Sequence, residues 1–348
     1  MNAFAKLSTD ELRQAVARLP RVPLGHLPTP LEETPRMAAR LGDIRLFIKR
    51  DDCTGLLFGG NKTRHHEFLL GDALQRGADC VVWGAGVQSN NCRQMAAACA
   101  KLGLECRLYL SRGSHGAEVQ GNLLLDYLVG AKVEVVDAPI GLALEELLRA
   151  KADEARREGR RPYVWDRPHV QPIAAASYLL CLAEIIEQLA ALDRRPDAIY
   201  VSSAGSTGAG LALGTALLGL ECPMCSICPI RWPWDVREEM AGAANDAAAL
   251  LGLPHRLTAE MIDAREDFVG TGYGEATVES RAAMDDLAKS EGILVDPIYT
   301  AKALAGLSAD VRAGRYRPGA TVVFIHTGGL PALFAYRDEL VREVDSRR

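Results

Sequence analysis

The sequence predicts an α/β protein built from parallel sheets that are covered by helices on both faces. Short apolar segments of strand length alternate with longer amphipathic segments of helical period along most of the chain. Several of the apolar segments end in loops of glycine and small polar residues, as 84–86 and 203–210 do. The alternation is interrupted once, over the arginine- and proline-rich residues 158–172. We therefore predict two α/β units with a cleft between them.

The first half of the chain begins with a helix signal. Ser8 and Glu11 have the spacing of a capping box, and an apolar period follows them. Residues 20–35 contain five prolines and are predicted to form an extended arm, because proline biases the residue before it away from helix. Predicted strands then alternate with helices at 44–49 (strand), 62–76 (helix), 80–83 (strand), 92–100 (helix), 106–110 (strand), 121–129 (helix), 133–136 (strand) and 142–157 (helix).

The second half of the chain resumes the alternation after residue 172. We place the crossing to the second unit at residues 158–170, where prolines break the helical pattern. The predicted elements that follow are 173–191 (helix), 198–202 (strand), 209–219 (helix), 224–230 (strand), 234–252 (helix), 275–291 (helix), 300–313 (helix) and 321–325 (strand).

Composition limits the classes of function. The chain has 348 residues, 48% of them hydrophobic and 24% charged, with a net charge of −5. No basic tract suggests nucleic acid or an anionic membrane surface, and the N-terminus does not resemble a signal peptide. We expect a cytoplasmic protein whose nine cysteines are reduced. Cys222, Cys225 and Cys228 have a metal-like spacing, but no fourth ligand follows, so no metal is expected.

Lys62 is the first candidate for a reactive group. It follows Gly59, Gly60 and Asn61 and stands at a predicted helix start, where unpaired N–H groups and the helix dipole disfavour a cation. Such surroundings lower the pKa of an amine, and a lysine tuned in this way can form a Schiff base. The alternative on local sequence is an ordinary lysine that points into solvent at a helix start.

The other candidates lie in loops after predicted strands, where open α/β sheets bind their ligands. The run 88–91 opens a helix and is suited to a carboxylate, although an ordinary helix cap needs only one such residue. The run 202–210 combines hydroxyls with glycines, as a phosphate cradle requires, but matches neither common nucleotide motif. Tyr273, Tyr299 and Thr327 stand on further loops of this kind.

Together, these motifs resemble the D-cysteine desulfhydrase and 1-aminocyclopropane-1-carboxylate deaminase family, which includes L-cysteate sulfo-lyase. The resemblance extends over about residues 24–335 and is carried by runs in the family's order: 49–52 (KRDD), 59–64 (GGNKTR), 88–90 (QSN), 121–125 (GNLLL), 209–210 (AG), 296–302 (DPIYTAK) and 327–329 (TGG). It implies a tryptophan synthase β-like (fold-type II) enzyme with pyridoxal 5'-phosphate as cofactor. It also implies a homodimer, a large domain from 1–55 and 173–348, and a small domain from 56–172.

The resemblance implies a role for each matching residue. Lys62 would form the Schiff base and move the substrate proton, with Ser89, Tyr273 and Tyr299 assisting at the substrate. Asn90 would bind the ring hydroxyl of the cofactor, and Thr327 would face its pyridine nitrogen. Residues assigned to the phosphate are Gly205, Ser206, Thr207 and Gly208. Residues assigned to the substrate are Gln88, Ser89, Asn90 and His169.

The implied activity is α,β-elimination on a small amino acid with a sulfur-containing β-substituent, D-cysteine or L-cysteate, giving pyruvate and ammonia. Thr300 stands where the deaminases have a glutamate, which argues against ring-opening deamination. The chain departs from the family at His65-His66 and at 167–170, where Arg167 and His169 suggest a group for an anionic substituent. The Trp232-Pro233-Trp234 cluster has no assignment. The alternatives are a deaminase, a β-substitution enzyme and a non-catalytic relative that binds amino acids.

Overall fold

The computed structural model describes residues 6–113 and 118–340, which form two sheets flanked by helices. The strands are β1 (Leu31–Glu33), β2 (Ile44–Lys49), β3 (Cys80–Gly86), β4 (Glu105–Ser111), β5 (Lys132–Val136), β6 (Pro162–Val164), β7 (Ala198–Ser202), β8 (Met224–Ile227), β9 (Asp263–Arg265) and β10 (Ala320–Ile325). The helices are α1 (Thr9–Val16), α2 (Pro35–Leu41), α3 (Lys62–Gln75), α4 (Asn90–Leu102), α5 (Gly121–Leu128), α6 (Leu142–Arg157), α7 (Arg167–Ala190), α8 (Ser206–Leu218), α9 (Val236–Leu250), α10 (Val278–Glu291), α11 (Thr300–Arg312) and α12 (Ala332–Ala335).

Strand order brings distant loops together. The first sheet has the order β1-β2-β10-β7-β8-β9, and the second has the order β5-β4-β3-β6. All neighbours are parallel except β1 and β2. Lys49 at the end of β2 lies opposite Ile325 at the end of β10. The loops after these strands therefore meet, and the Asn61 N–H donates to the Thr327 carbonyl at 3.0 Å.

The predicted α/β class with parallel sheets is confirmed, and most predicted elements lie where the sequence placed them. Helix α6 has the predicted bounds, and the capping box of α1 forms, with Ser8 and Glu11 each accepting from the other's N–H. Strands β1 and β9 and helix α2 were not predicted as regular elements. β1 and β9 have three residues each and lie at the sheet edges, where a periodic pattern is too short to recognise.

Residues 158–172 are more regular than predicted. β6 starts at Pro162 and occupies an edge of the second sheet, where proline costs no ladder hydrogen bond. Helix α7 begins at Arg167 rather than at residue 173, with Pro168 in its first turn and Pro172 inside it. The prediction of a loop here was wrong because a proline in the first turn does not break a helix. The domain boundaries at 55/56 and 172/173 stay a prediction.

Helix α7 is the central helix of the core. It packs against α1, α3, α8 and α9. Its apolar stretch is long enough to cross a membrane, but most of that stretch is buried inside the protein. Burial of this kind is typical of the core helix of a large domain.

A buried ion cluster fixes α3 against α7. The Arg64 guanidinium donates to Asp51 at 2.8 Å and to Glu184 at 2.7 Å, and Lys49 pairs with Glu184 at 2.7 Å. Burial alone raises the pKa of Asp51, but the charges of Arg64 and Lys49, together with hydrogen bonds from Arg64 and Tyr178, outweigh burial and hold that pKa at about 2. Two cations face two carboxylates, so the buried charges are paired, as charges away from water must be. The motif residues Lys49, Asp51 and Arg64 therefore fix the helix that carries Lys62.

Candidate active site

A cavity of about 270 Å³ lies where loops from both sheets meet. Most of the residues that the sequence assigned to a site line it: Lys62, Ser89, Asn90, Gly205, Ser206, Thr207, Tyr273, Tyr299 and Thr327. Three assigned residues, Gln88, His169 and Gly208, do not line this cavity. The topology thus gathers residues that are up to about 270 positions apart in the chain, because the carboxyl ends of parallel strands share one edge.

Lys62 is the first residue of α3. Gly59 and Gly60 before it have φ of 64° and 126°, and a Cβ on Gly59 would lie 2.0 Å from the Asp52 carbonyl oxygen. Only glycine permits this close approach. Burial lowers the pKa of the Lys62 amine to about 8. Among the described residues the amine has no hydrogen-bond partner, so Lys62 combines a low proton affinity with freedom to react.

The start of α4 forms the second wall. Ser89 is the N-cap, and its hydroxyl oxygen accepts from the Cys92 N–H at 3.2 Å. The backbone N–H groups of Asn90 and Asn91 have no acceptor in the part of the chain that the structure describes. Free N–H groups at the positive end of a 13-residue helix are suited to a carboxylate.

The side chain of Asn90 is oriented by a hydrogen-bonded relay. Arg93 Nε donates to Asn122 Oδ1 at 2.7 Å, and a guanidinium can only donate, which fixes the orientation of the Asn122 amide. Asn122 Nδ2 then donates to Asn90 Oδ1 at 3.0 Å. The carbonyl of Asn90 is therefore occupied, and its NH₂ group is left to donate to an acceptor.

The start of α8 forms the third wall. Gly205 is its N-cap and supplies no side-chain cap. Within the described ranges the backbone N–H groups of Ser206 and Thr207 have no acceptor, and the buried Ser202 Oγ has no partner. Gly208 lies behind this cradle, because its N–H donates to Ser203 Oγ at 2.9 Å and its Cα faces Ser226. The assignment of Gly208 to direct contact is therefore corrected: it permits close packing of α8.

His65 supports this cradle, a role that the sequence did not indicate. Thr207 Oγ1 accepts from Asn61 Nδ2 at 3.0 Å and lies 3.2 Å from His65 Nε2. Burial, with the Lys62 charge, holds the pKa of His65 well below its ordinary value, so the ring is neutral. When Nε2 carries the ring proton, His65 donates to the threonine oxygen, and the Thr207 hydroxyl keeps its own proton for an acceptor in the cavity.

The two predicted tyrosines come together. Tyr273 and Tyr299 share a hydrogen bond between their hydroxyls, and their rings meet edge to face at 6.0 Å. Burial raises the pKa of both phenols, which keeps them protonated. The Thr327 hydroxyl also lines the cavity and has no hydrogen-bond partner among the described residues. The tyrosine pair and Thr327 thus present neutral hydroxyl groups.

Two substrate assignments differ from the structure. The Gln88 amide is oriented away from the cavity by two hydrogen bonds: it accepts from the Asn122 N–H at 2.9 Å and donates to the Gln120 carbonyl at 3.1 Å. His169 Nε2 lies 2.7 Å from an Asp72 carboxylate oxygen and outside the cavity lining. Because 167–170 is the first turn of α7 rather than a loop, the side chain of His169 is directed to α3.

Arg167 lines the cavity but offers no free charge. Its guanidinium donates hydrogen bonds to Glu145, and Nη1 lies 3.3 Å from a Glu239 carboxylate oxygen. The same guanidinium lies 4.4 Å from the centre of the Trp234 ring. The expectation that Arg167 meets an anionic substituent is therefore not supported, since two carboxylates already neutralise it.

The residues present fit pyridoxal 5'-phosphate. The cofactor needs a lysine for its aldehyde, donors for its phosphate and a donor for its ring hydroxyl. Lys62 offers the amine. The start of α8, with the unpartnered Ser202 hydroxyl, offers phosphate donors. Asn90 offers the remaining donor through its NH₂ group. Each requirement is met by a group that the protein itself leaves without a partner.

Comparisons with known proteins agree with this geometry. Residues 22–328 match the family described as "Pyridoxal-phosphate dependent enzyme". The chain is 37% identical to a D-cysteine desulfhydrase of Klebsiella pneumoniae (strain 342), over 94% of this chain and 99% of that protein. It is 36% identical to a putative 1-aminocyclopropane-1-carboxylate deaminase of Pyrococcus horikoshii, over 94% and 97%.

A solved structure shows the same fold. The crystal structure of an "ACC deaminase homologue" superimposes with a TM-score of 0.87 at 35% identity, covering 95% of this chain and 98% of that one. The predicted fold-type II class and the cofactor are thereby confirmed. With Lys62, Asn90 and the start of α8 around one cavity, the chain belongs to the pyridoxal-phosphate-dependent enzymes and is a lyase of the D-cysteine desulfhydrase and 1-aminocyclopropane-1-carboxylate deaminase family.

Proposed function

We propose that this lyase catalyses α,β-elimination on an amino acid with a sulfur-containing β-substituent, with D-cysteine as the first candidate. The products are the thiol or sulfide, pyruvate and ammonia, with one water consumed. The observation that carries the proposal is the arrangement of Lys62 between two helix starts with free N–H groups, α4 and α8. One helix start is suited to the substrate carboxylate and the other to the cofactor phosphate.

Each protein group has a defined task in this proposal. The cofactor, when bound, supplies an electron sink for the carbanion at the substrate Cα. Lys62, with a pKa of about 8, is able to accept the Cα proton near neutral pH. The N–H groups of Asn90 and Asn91 hold the carboxylate, and the Ser89 hydroxyl lies beside them. The neutral Thr327 hydroxyl is proposed to face the ring nitrogen and to leave it unprotonated.

The choice between substrates depends on Arg167 and Thr300. Arg167 is paired with two carboxylates, so the residues that the structure describes offer the cavity no free guanidinium for the sulfonate of L-cysteate. Thr300 is buried, and its hydroxyl donates to Asp296 at 2.5 Å. The position therefore offers no carboxylate for ring opening. D-cysteine is proposed ahead of L-cysteate, with deamination of 1-aminocyclopropane-1-carboxylate and β-substitution as the alternatives.

The experiment is a substrate panel on the purified holoenzyme. D-cysteine, L-cysteate, D-serine, β-chloro-D-alanine and 1-aminocyclopropane-1-carboxylate are tested for release of pyruvate or α-ketobutyrate. Pyruvate from D-cysteine as the dominant activity supports the proposal. Ketobutyrate from the cyclopropane substrate as the dominant activity would replace elimination with deamination. Ligand binding without any product would favour the non-catalytic alternative.

A second experiment identifies the lysine. Borohydride treatment should fix the cofactor on Lys62, as peptide mass analysis would detect. Lys62→Ala should lose several orders of magnitude in turnover, because it removes the anchor and the base together.

Assembly and location belong to the same proposal. We propose a cytoplasmic C2 homodimer that acts on a small molecule and binds neither nucleic acid nor membrane. The reduced, mostly buried cysteines support a reducing compartment. Light scattering that gives the mass of a monomer at micromolar concentration would contradict the dimer.

A further inference from the structure

One wall of the cavity is apolar and contains none of the residues assigned to the cofactor. It consists of the apolar and aromatic side chains Ile140, Leu144, Leu148, Trp165 and Trp232. Leu144 and Leu148 come from α6, whereas Trp232 comes from the segment between β8 and α9. Leu144 and Leu148 are already buried, so Ile140, Trp165 and Trp232, which are half-buried, form the part of the wall that solvent reaches. The thiol of cysteine is too small to cover these three side chains, which would then stay in contact with water.

The ring of Trp232 is held in place on one face. It stacks on Trp234 with ring centres 4.9 Å apart and planes 7° from parallel. The Arg167 guanidinium lies over the Trp234 ring. A Cβ on Gly141 would lie 3.9 Å from the edge of the Trp232 ring. Stacked planes fixed by an ion pair form a preorganised surface, because little side-chain freedom remains to be lost on binding.

The charges beside this wall disfavour an anion. Glu145 and Glu239 face the cavity with Arg167 between them, and Gln171 Nε2 donates to Glu239 Oε1 at 2.9 Å. The second oxygen of Glu239 has no hydrogen-bond partner among the described residues. Arg149 approaches Glu145 at 3.8 Å from the exposed side. Arg167, the one arginine that lines the cavity among the described residues, is thus engaged by both carboxylates, which would repel a negatively charged group.

We propose that this wall, the aromatic compartment of Ile140, Leu144, Leu148, Trp165 and Trp232, binds a flat, uncharged aromatic group carried on the sulfur of the substrate. The substrate class is then an S-aryl cysteine. This rests on the proposed elimination: the Cβ–S bond breaks, the sulfur leaves with the electron pair and is protonated to an aryl thiol, and water releases pyruvate and ammonia. Aryl thiolates leave more readily than sulfide, since their conjugate acids have a lower pKa.

The kinetic test compares S-phenylcysteine with cysteine, both enantiomers of each, on the holoenzyme. The ratio of kcat/KM for the aryl substrate over cysteine should exceed about ten, the size of one aromatic contact. Trp232→Ala should lower this ratio by about tenfold, and Trp232→Leu, which keeps apolar volume, should lower it by less. Tyr127→Ala, on an exposed helix position, is the matched control and should leave the ratio unchanged. If the wild type has a lower kcat/KM for S-phenylcysteine than for cysteine, the proposed aromatic compartment is refuted.

A binding test separates the compartment from the reaction. Phenylalanine has a flat side chain and no leaving group, and alanine lacks the ring. Quenching of tryptophan fluorescence should show phenylalanine of one enantiomer binding at least about tenfold more tightly than alanine, with the preference lost in Trp232→Ala. Equal binding of the two amino acids would refute the compartment. Preference for phenylalanine without pyruvate from any sulfur substrate would refute the proposed function alone. Thermal melting of each variant checks that it folds.

Discussion

Replacing Lys62 should stabilise the cofactor-free protein. Burial lowers the pKa of its amine from 10.5 to about 8, so below pH 8 the folded state carries a charge that burial disfavours. At about 1.36 kcal/mol for each tenfold change in proton affinity, the difference corresponds to about 3 kcal/mol. Lys62→Met keeps the length of the side chain and removes the charge. It should raise the free energy of unfolding by about 3 kcal/mol at pH 7.

The stability difference between the wild type and Lys62→Met should depend on pH in a defined direction. Between pH 8 and 10.5 the unfolded chain binds a proton at Lys62 that the folded protein has released. The wild type therefore gains stability relative to Lys62→Met as the pH rises through this window. Above pH 10.5 both states are neutral, and the difference should disappear.

Urea unfolding of the two apoproteins at several pH values measures the difference directly. Lys289→Met, which removes a mostly exposed amine on α10, is the control and should change stability by less than about 1 kcal/mol. If Lys62→Met has the same stability as the wild type at pH 7, or is less stable, the amine is not desolvated. Lys62 would then not be a base of lowered pKa.

Three further substitutions test the groups around Lys62. Asn122→Ala removes the donor that orients Asn90, so cofactor affinity should fall by about tenfold, measured by titrating the apoprotein; unchanged affinity would contradict the relay. Arg64→Met leaves buried carboxylates without their arginine partner and should lower the free energy of unfolding, measured with urea, by about 3–5 kcal/mol. Arg45→Met, which removes an exposed ion pair, is the control and should lower it by less than about 1 kcal/mol. His65→Phe should weaken cofactor binding several-fold without altering its pH profile, because the neutral ring does not titrate near pH 7; a changed profile would show that His65 carries charge.

The sequence by itself determined the fold class and the reactive groups. The patterns that indicated them are strand–helix alternation, glycines before Lys62 and polar residues at helix starts. Each of these patterns spans only a few neighbouring residues and can therefore be recognised in the sequence alone. The starts of α3, α4 and α8 lie within a few residues of their predicted positions. The candidate residues also follow predicted strands in the sequence, and the carboxyl ends of parallel strands lie at one edge of a sheet. The common cavity of Lys62, Asn90 and Thr327 follows from that geometry.

Tertiary structure alone decided how the remaining side chains are used. Arg167 and His169 were expected at the substrate. In the structure Arg167 pairs with Glu145 and Glu239, and His169 contacts Asp72. No local sequence pattern indicates which partner a charged side chain will contact. The prolines at 168 and 172 suggested a loop, whereas packing holds them in the first turns of α7. Thr207 meets His65 across 142 positions, and Trp232 lines the same cavity as residues of helix α6 only because distant elements pack around it. Such pairings depend on the relative placement of distant elements, which the packing of the whole chain fixes and a sequence window does not contain.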